Sequence, residues 1–324
     1  MEQASVTAAV RVRPATTVER RKTVLAAVLF LIGLPVLLAA KEALSFHVRN
    51  RSNDSIVSSG QQREYLLYVP ESYDRTRPTP LVISLHGGAM WPAAQRETSQ
   101  WNELARRHGF IVVYPSAETG GGPRAWNVNH GAGLATDVRF LSELIDTLSA
   151  AYNIDPVRIY ANGLSNGGGM SFVLSCTLSD RIAAVGTVVA AQTLPFDWCK
   201  DSTPVPMIAF YGTADPVVPY QGGKAWVAPR EFPSATKWTA DWARRNRCGA
   251  KPVDFVIAPD VIRREYTECA DGAAVLLYTI RGGGHTWPGG EGVPEWILGP
   301  NTRSIDATSV MWDFFIEHPL RRTR

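Results

Sequence analysis

A Gly-Leu-Ser-Asn-Gly pentapeptide at residues 163–167 is the strongest chemical signal in this sequence. It follows an apolar run at residues 157–161 and precedes a helix-compatible run at residues 170–178. This order of strand, sharp turn and helix is typical of a nucleophile elbow, in which a strained turn exposes a serine hydroxyl above a sheet. The glycines are required where the strand and helix backbones pass too close for a Cβ atom. We therefore predict that Ser165 is a nucleophile for acyl transfer through a serine ester.

A base and an acid must accompany this serine, because the pentapeptide alone also fits an ordinary Gly-rich turn. A serine nucleophile needs a histidine, and the histidine needs a carboxylate that holds its tautomer. In this type of fold the chain order is serine, acid, histidine. Two histidines follow Ser165, and His318 stands before a proline near the C-terminus. We predict that the other, His285, is the base, since it lies in a Gly-rich loop after the last predicted strand.

The predicted acid is Asp215. It ends an apolar strand in the sequence Gly-Thr-Ala-Asp-Pro-Val-Val-Pro, which begins at Gly212. The glycine and the prolines favour a rigid turn, which suits a carboxylate that must orient a histidine. The alternative is a turn or capping aspartate.

The negative charge of a tetrahedral intermediate needs two backbone N–H donors. One is predicted to be Asn166, the residue after the nucleophile, at the start of the elbow helix. The other is predicted to be Gly88, with Ala89 as its neighbour, because His86-Gly87-Gly88 follows an early strand. His86 precedes the serine, so the chain order is wrong for a base, and we interpret it as a hydrogen-bonded structural residue.

Exposed tryptophans are candidates for holding a flat or polymeric acyl group. The candidates are Trp126 in a Gly-rich loop, Trp287 two residues after His285, and Trp91. We predict substrate contact for Trp126 and Trp287. The alternative for each side chain is core packing.

The secondary-structure pattern predicts an α/β fold with a mostly parallel central sheet and helices on both faces. Its strands read as continuous apolar runs that alternate with amphipathic helices, and such runs indicate a sheet covered on both faces. The predicted strands cover residues 64–69, 81–85, 110–114, 157–161, 182–191, 206–211 and 274–280; the predicted helices cover 91–108, a segment from Thr136, 170–178, a segment from Ser234, and 305–317. Each candidate catalytic residue directly follows a strand, where ligands bind in such folds.

The N-terminal region predicts export. Residues 24–40 carry no charge and follow an Arg-Arg-Lys cluster, which fits either a cleaved signal peptide or an uncleaved membrane anchor. We predict a polar linker at 41–60, a catalytic domain at 61–318 and a basic tail at 319–324.

The charge distribution argues against a nucleic-acid partner. Residues 1–40 carry five basic and two acidic side chains, which accounts for the whole net charge of +3. The remainder of the chain is therefore neutral and shows no basic stripe.

The four cysteines are even in number and follow the export segment. They show no Cys-x-x-Cys spacing, so we expect no zinc site, and in an exported protein two disulfides are expected. Three pairings are open, and we favour the sequential one because it closes the shortest loops: Cys176 with Cys199 and Cys248 with Cys269.

These motifs together resemble the family of poly(3-hydroxybutyrate) depolymerases and feruloyl or acetylxylan esterases, within the α/β-hydrolase fold. The resemblance covers about residues 60–317 and rests on the segments at 85–88, 155–160, 163–168, 212–220 and 283–289. The last of these, Gly-Gly-His-Thr-Trp-Pro-Gly, is the most specific.

The resemblance implies a secreted esterase that uses Ser165, Asp215 and His285 and needs no metal or organic cofactor. Relatives often carry a Cys-Cys pair after the Trp-Asn at 126–127, and residues 128–135 here have none. The acyl group, feruloyl, acetyl or 3-hydroxybutyrate oligomer, therefore stays open.

Two other functions are weighed against the esterase. A serine peptidase of the same fold would usually need an added device that anchors the peptide, and the length of the chain leaves no room for one. A non-catalytic binding protein on the hydrolase fold would have no need of an intact serine, acid, histidine and oxyanion loops.

Overall fold

The computed structural model describes residues 52–118, 124–129, 131–225, 231–249, 251–291 and 295–321. All of them belong to the unit Arg49–Arg324. The predicted export segment at 24–40 lies outside the described residues, as does most of the predicted linker. Among the residues that are described, no helix combines the length and the apolar character needed to cross a membrane.

The described residues contain one ten-stranded sheet whose central part is parallel. The strands lie in the order β1-β2-β4-β3-β5-β6-β7-β12-β11-β10. Strands β4, β3, β5, β6, β7 and β12 run parallel, and the pairs at both edges are antiparallel. The strands are β1 Asp54–Ser58, β2 Gln61–Tyr68, β3 Thr79–Leu85, β4 Ile111–Pro115, β5 Ile154–Leu164, β6 Ala184–Val188, β7 Met207–Gly212, β8 Gly223–Lys224, β9 Glu231–Phe232, β10 Val253–Ala258, β11 Val261–Tyr266 and β12 Val275–Ile280, of which β8 and β9 form a separate hairpin.

Helices cover both faces of the sheet. They are α1 Pro92–Ser99, α2 Trp101–His108, α3 Ala132–Ala151, α4 Asn166–Thr177, α5 Ala235–Arg245, α6 Glu295–Leu298 and α7 Ala307–Glu317. Neighbouring residues of one strand feed opposite cores: Ile83 packs with residues of α3, α4 and α5, whereas Val82 packs with residues of α1, α2 and α7. The alternation explains why the central strands read as continuous apolar runs. The predicted α/β class is confirmed.

Several boundaries differ from the sequence predictions. Residues 54–58, predicted as part of a linker, form strand β1 and pair with β2. The helix predicted over 91–108 is two helices, because Gln100 adopts a left-handed φ of 56° between them. The helix predicted to start at Thr136 begins earlier, at Ala132. Thr136 lies inside this helix α3, and its hydroxyl donates to the carbonyl of Ala132.

The C-terminal part of the fold contains two strands that the sequence analysis missed. Strands β10 and β11 extend the sheet beyond β12 as an antiparallel edge. Strand β10 is largely exposed, although its residues 255–258 are all apolar, so its sequence does not show that it lies at an edge. Leu320, predicted as tail, donates its N–H to the carbonyl of Val157 at 2.8 Å and so belongs to the folded body.

Both favoured disulfides are present. Cys176 pairs with Cys199, and Cys248 pairs with Cys269. The first ties the end of α4 to the loop before β7, and the second ties the end of α5 to the loop before β12. Each bridge therefore links a helix that covers the sheet to a loop that leads into one of its strands.

Replacing Cys176 and Cys199 together by serine is expected to destabilise the protein by about 3 kcal/mol, because the bridge closes a 23-residue separation in the unfolded chain. Urea unfolding followed by tryptophan fluorescence measures this. The matched variant Cys248→Ser with Cys269→Ser, which opens a 21-residue separation, should lose a similar amount. An unfolding free energy equal to that of the wild type would contradict the pairing.

Candidate active site

The sheet order brings the three predicted catalytic residues to one edge. Ser165 follows β5, Asp215 follows β7 by three residues, and His285 follows β12 by five. Strands β5, β6, β7 and β12 are successive neighbours and run parallel, so their carboxyl ends meet at the same edge of the sheet. His318 lies elsewhere, since the segment just after it bonds to Val157 near the amino end of β5.

Ser165 occupies the strained turn that the pentapeptide predicts. Its φ of 53° and ψ of −116° lie in a region that a residue with a side chain rarely adopts. Strand β6 and the turn that follows it hold this conformation: the Ser165 N–H donates to the Val188 carbonyl at 2.8 Å, and the Ser165 carbonyl accepts from Ala191 at 2.9 Å. The serine is only partly buried, so the turn presents it toward solvent.

The two glycines of the pentapeptide are required by close backbone approach. A Cβ atom on Gly163 would overlap the carbonyl group of Gly167, and a Cβ atom on Gly167 would overlap the carbonyl oxygen of Leu85. Strand β5, helix α4 and the end of β3 therefore meet with no side chains between them. This confirms the prediction that these two positions need glycine because the backbones pass too close for a Cβ atom.

The acid and base candidates form a buried pair. The Nδ1 atom of His285 lies 2.8 Å from Oδ2 of Asp215, and the two residues are only 6% and 7% exposed. The other carboxylate oxygen accepts the N–H groups of Val217 at 2.7 Å and Val218 at 2.8 Å. The backbone turn thus fixes the carboxylate, and the carboxylate fixes the ring of the histidine.

The loops that carry this pair are locked to each other. Gly212 has no room for a side chain, since a Cβ atom there would overlap the carbonyl of Gly283. The Ala214 N–H donates to the same carbonyl at 2.9 Å, and the His285 N–H donates to Leu298 at 2.6 Å. Backbone contacts therefore set the separation of acid and base.

The predicted oxyanion donors lie against each other and against the serine. A Cβ atom on Gly87 would lie 3.6 Å from Cβ of Ser165, and one on Gly88 would lie 3.8 Å from Cβ of Asn166. Among the described residues, the N–H groups of Gly88 and Asn166 donate to no acceptor, whereas the Ala89 N–H donates to the Arg124 carbonyl at 2.7 Å. Of the two early-loop candidates, the geometry favours Gly88.

His86 is a structural residue, as the sequence analysis predicted. It is fully buried, with Nδ1 against the Gly87 carbonyl at 2.8 Å and Nε2 accepting the Ala117 N–H at 3.0 Å. This pattern requires a neutral ring. Burial, helped by the nearby charge of Arg124, lowers the pKa of His86 to about 4.

The two predicted substrate tryptophans are not exposed, and that part of the prediction is wrong. Trp126 is 2% exposed and donates its indole N–H to the His86 carbonyl at 3.1 Å. Trp287 is 1% exposed and donates to the Thr308 hydroxyl at 2.9 Å. Both rings join hydrophobic cores on opposite faces of the sheet. The core-packing alternative describes both side chains, and the sequence analysis favoured exposure over it because loop position was taken as a sign of exposure.

Sequence reasoning also missed an exposed tryptophan near the base. Trp296 in α6 is 87% exposed, and the same short helix supplies Leu298, whose carbonyl accepts the His285 N–H. Its only sequence signal was proximity to the His285 motif. Within the described part of the chain, no cluster of three or more His, Cys, Asp or Glu side chains could hold a metal ion.

The sheet, the elbow and the order of the three residues along the strands define an α/β-hydrolase fold. Two solved structures share it: an acetyl xylan esterase from Aspergillus awamori, with a TM-score of 0.55 and 16% identity over 72% of this chain and 93% of that one, and a thermostable esterase, with a TM-score of 0.53 and 18% identity over 82% of this chain and 62% of that one. At these identities the likeness establishes the fold alone.

Sequence comparison gives the family. Residues 63–193 match the family described as Esterase PHB depolymerase. Feruloyl esterase B of Piromyces equi is 34% identical over 241 residues, which is 72% of this chain and 44% of that protein. A probable feruloyl esterase C of Aspergillus terreus is 28% identical over 78% of this chain and 83% of that protein. The chain belongs to the poly(3-hydroxybutyrate) depolymerase and feruloyl esterase family.

Some relatives are much longer than the matching region. The chain spans 44% of feruloyl esterase B and 24% of a bifunctional acetylxylan esterase/xylanase, XynS20E of Neocallimastix patriciarum, to which it is 32% identical over 169 residues.

The buried, neutral His86 predicts a loss of stability in acid. Its folded pKa of about 4 lies below the usual value of 6.5, so between these pH values the unfolded chain binds a proton that the folded protein does not. Its contribution is complete above pH 6.5 and falls by about 3 kcal/mol as the pH drops toward 4. Urea unfolding at a series of pH values measures this.

The variant His86→Gln should show a flatter pH dependence of the unfolding free energy over this range, whatever its stability at neutral pH, because glutamine does not titrate. Exposed His108 provides the control, and His108→Gln should keep the wild-type profile. A His86→Gln profile parallel to that of the wild type would show that His86 is not held neutral.

Proposed function

We propose that this protein is a serine carboxylic-ester hydrolase that works through an acyl-enzyme formed on Ser165. The observation that carries this proposal is the Asp215–His285 hydrogen bond of 2.8 Å at the sheet edge where the strained serine turn also lies. The family match and the relatives named as esterases support the same class.

The proposed reaction follows from the roles that the geometry allows. His285 takes the proton from the Ser165 hydroxyl as Oγ attacks the ester carbonyl carbon, and Asp215 stabilises the imidazolium that forms. The carbonyl oxygen becomes an oxyanion that the N–H groups of Gly88 and Asn166 bind. The imidazolium then protonates the departing alkoxide, which leaves as an alcohol. Water repeats the sequence on the acyl-enzyme, releases the carboxylic acid and regenerates the serine.

The substrate class is proposed to be feruloyl or acetyl esters of plant polysaccharide, or oligomers of 3-hydroxybutyrate. The names of the relatives support all of these acyl groups, and the missing Cys-Cys pair at 128–135 leaves the choice between them to experiment. Trp296 is the aromatic side chain that we propose for contact with the acyl group. It is exposed, and it lies on the helix that packs against the base loop.

Export from the cytoplasm is proposed from two features. Both disulfides would persist only in an oxidising compartment, and the uncharged residues 24–40 follow a basic cluster. Cleavage after the apolar segment would release the protein, and retention would leave it anchored.

Replacing Ser165 by alanine is expected to abolish hydrolysis of methyl ferulate, acetylated xylan and 3-hydroxybutyrate oligomers by purified 41–324, a loss of about 10⁶ in kcat where activity is present. The wild type should be labelled by a fluorophosphonate at Ser165, and the variant should not. Asp215→Asn should still be labelled, but at a much lower rate, since the ring of His285 loses its acceptor.

Labelling at another residue, or equal hydrolysis by wild type and variant, would remove Ser165 from the mechanism. Absence of both labelling and hydrolysis in the wild type would favour the non-catalytic binding protein. The preferred substrate among the three identifies the acyl group.

Replacing Trp296 by alanine is expected to lower kcat/KM about fivefold for methyl ferulate or a 3-hydroxybutyrate oligomer, because an aromatic contact is worth about 1 kcal/mol. The kcat/KM for p-nitrophenyl acetate, whose acyl group is too small to reach it, should stay within about twofold.

The matched control is Ile316→Ala, which trims another exposed apolar side chain, 47% exposed, near the opposite end of the sheet. It should leave all of these substrates unaffected. If Trp296→Ala lowered kcat/KM equally for p-nitrophenyl acetate and for the larger esters, the substitution would have damaged the base loop, and Trp296 would not bind the acyl group.

A further inference from the structure

We propose that residues 124–127, here called the strap, set the spacing between the two oxyanion donors, with Trp126 and Asn127 as positioning residues. The strap crosses between the elbow and the early glycine loop and is hydrogen-bonded to both. This inference rests on the proposed function and assigns to Trp126 a role other than substrate contact.

On the elbow side, the strap is clamped by the residue after the nucleophile. The Trp126 N–H donates to Oδ1 of Asn166 at 2.6 Å, and Nδ2 of Asn166 donates to the Trp126 carbonyl at 3.2 Å. One amide group thus satisfies both backbone groups of Trp126. Because the backbone N–H of Asn166 is a predicted oxyanion donor, the clamp ties that donor to the strap.

On the other side, the strap holds both ends of the glycine loop. The indole N–H of Trp126 donates to the carbonyl of His86, and the N–H of Ala89 donates to the carbonyl of Arg124 at 2.7 Å. The Trp126 and His86 rings also pack with centroids 5.4 Å apart. Gly88, the second predicted donor, lies between the two anchored residues. The strap is therefore hydrogen-bonded to the side chain of one donor residue, Asn166, and to the residues on both sides of the other donor, Gly88.

The strap is itself anchored to a buried ion pair. The backbone N–H and the Nδ2 of Asn127 donate to Oδ2 of Asp137 at 2.8 and 2.9 Å. The other oxygen of Asp137 accepts from Arg63 at 2.8 Å, and the two charged side chains are 1% and 2% exposed. An ion pair that is this buried resists displacement, because moving either partner would leave an uncompensated charge.

A strap of this kind affects the transition state more than the bound ester. Oxyanion donors act at the position that the oxygen reaches in the tetrahedral intermediate, and their alignment matters little for ground-state binding. Loosening the spacing should therefore lower kcat and leave KM nearly unchanged. Simple satisfaction of a buried indole N–H would instead affect stability alone.

The test is Trp126→Phe, which keeps an aromatic ring and removes the hydrogen bond to His86. We expect kcat for p-nitrophenyl acetate to fall about tenfold, less than the 10² to 10³ typical for loss of a whole donor, with KM within about twofold. The affinity for phenylboronic acid, which forms a tetrahedral adduct on the serine, should fall by the same factor as kcat.

The matched control is Trp242→Phe. Trp242 is also fully buried and donates its indole N–H to a backbone carbonyl, that of Val205 at 2.9 Å, before the amino end of β7. This variant should lose comparable stability in urea while keeping kcat and boronate affinity. A second strap variant, Asn127→Ala, tests the same role independently of the indole, in case Trp126→Phe does not fold.

Wild-type kcat and boronate affinity in both Trp126→Phe and Asn127→Ala would overturn the inference while leaving the proposed esterase intact. A raised KM with unchanged kcat would overturn it in favour of substrate contact by Trp126. A wild-type protein without hydrolysis or fluorophosphonate labelling would overturn the proposed function itself and the role of the strap with it.

Discussion

The close backbone approach at the elbow is the constraint on which the rest of the structure depends. Strand β5, helix α4 and the end of β3 meet at Gly163, Gly167 and Leu85 with no side chains between them. This contact forces Ser165 into its strained turn, and it brings the loop after β3 within van der Waals reach of the serine. The same close approach therefore places the nucleophile beside the loop that carries the backbone donors. The strain is tolerated because strand β6 and the turn after it hold both backbone groups of the serine.

Buried polar groups complete the site by fixing loops that the sheet alone would leave free. One carboxylate oxygen of Asp215 accepts hydrogen bonds from its own turn, and the other bonds to His285. The turn therefore fixes the acid, and the acid fixes the base at hydrogen-bond distance. His86 uses both ring nitrogens to hold the loop after β3 against the segment after β4. Each group is buried and satisfied, and such networks specify a single arrangement because a displaced member would lose its partners without gaining water.

The sequence analysis succeeded where local chemistry and steric rules determine structure. The central strands, the elbow, the structural role of His86 and the disulfide pairing by shortest loops are of this kind, and each was predicted from residue types and their order along the chain. It failed where exposure or pairing depends on distant segments. Strand β1 lies at one edge and mixes polar with apolar residues, and strand β10 lies at the other edge and is largely exposed although its residues 255–258 are apolar. Trp126 and Trp287 stand in glycine-rich loops, yet those loops fold inward onto the two cores.

The sequence by itself determined the fold class, the family and the candidate nucleophile, acid and base, because these follow from residue types at short, fixed spacings. Tertiary structure decided which side chains meet. It buried the two tryptophans predicted to face the substrate, left Trp296 exposed beside the base loop, and joined Asn166, Trp126 and His86 across 80 positions of the chain. The physical reason is that burial and hydrogen-bond partners belong to pairs of distant segments, and the periodicity of one segment carries no information about its partner.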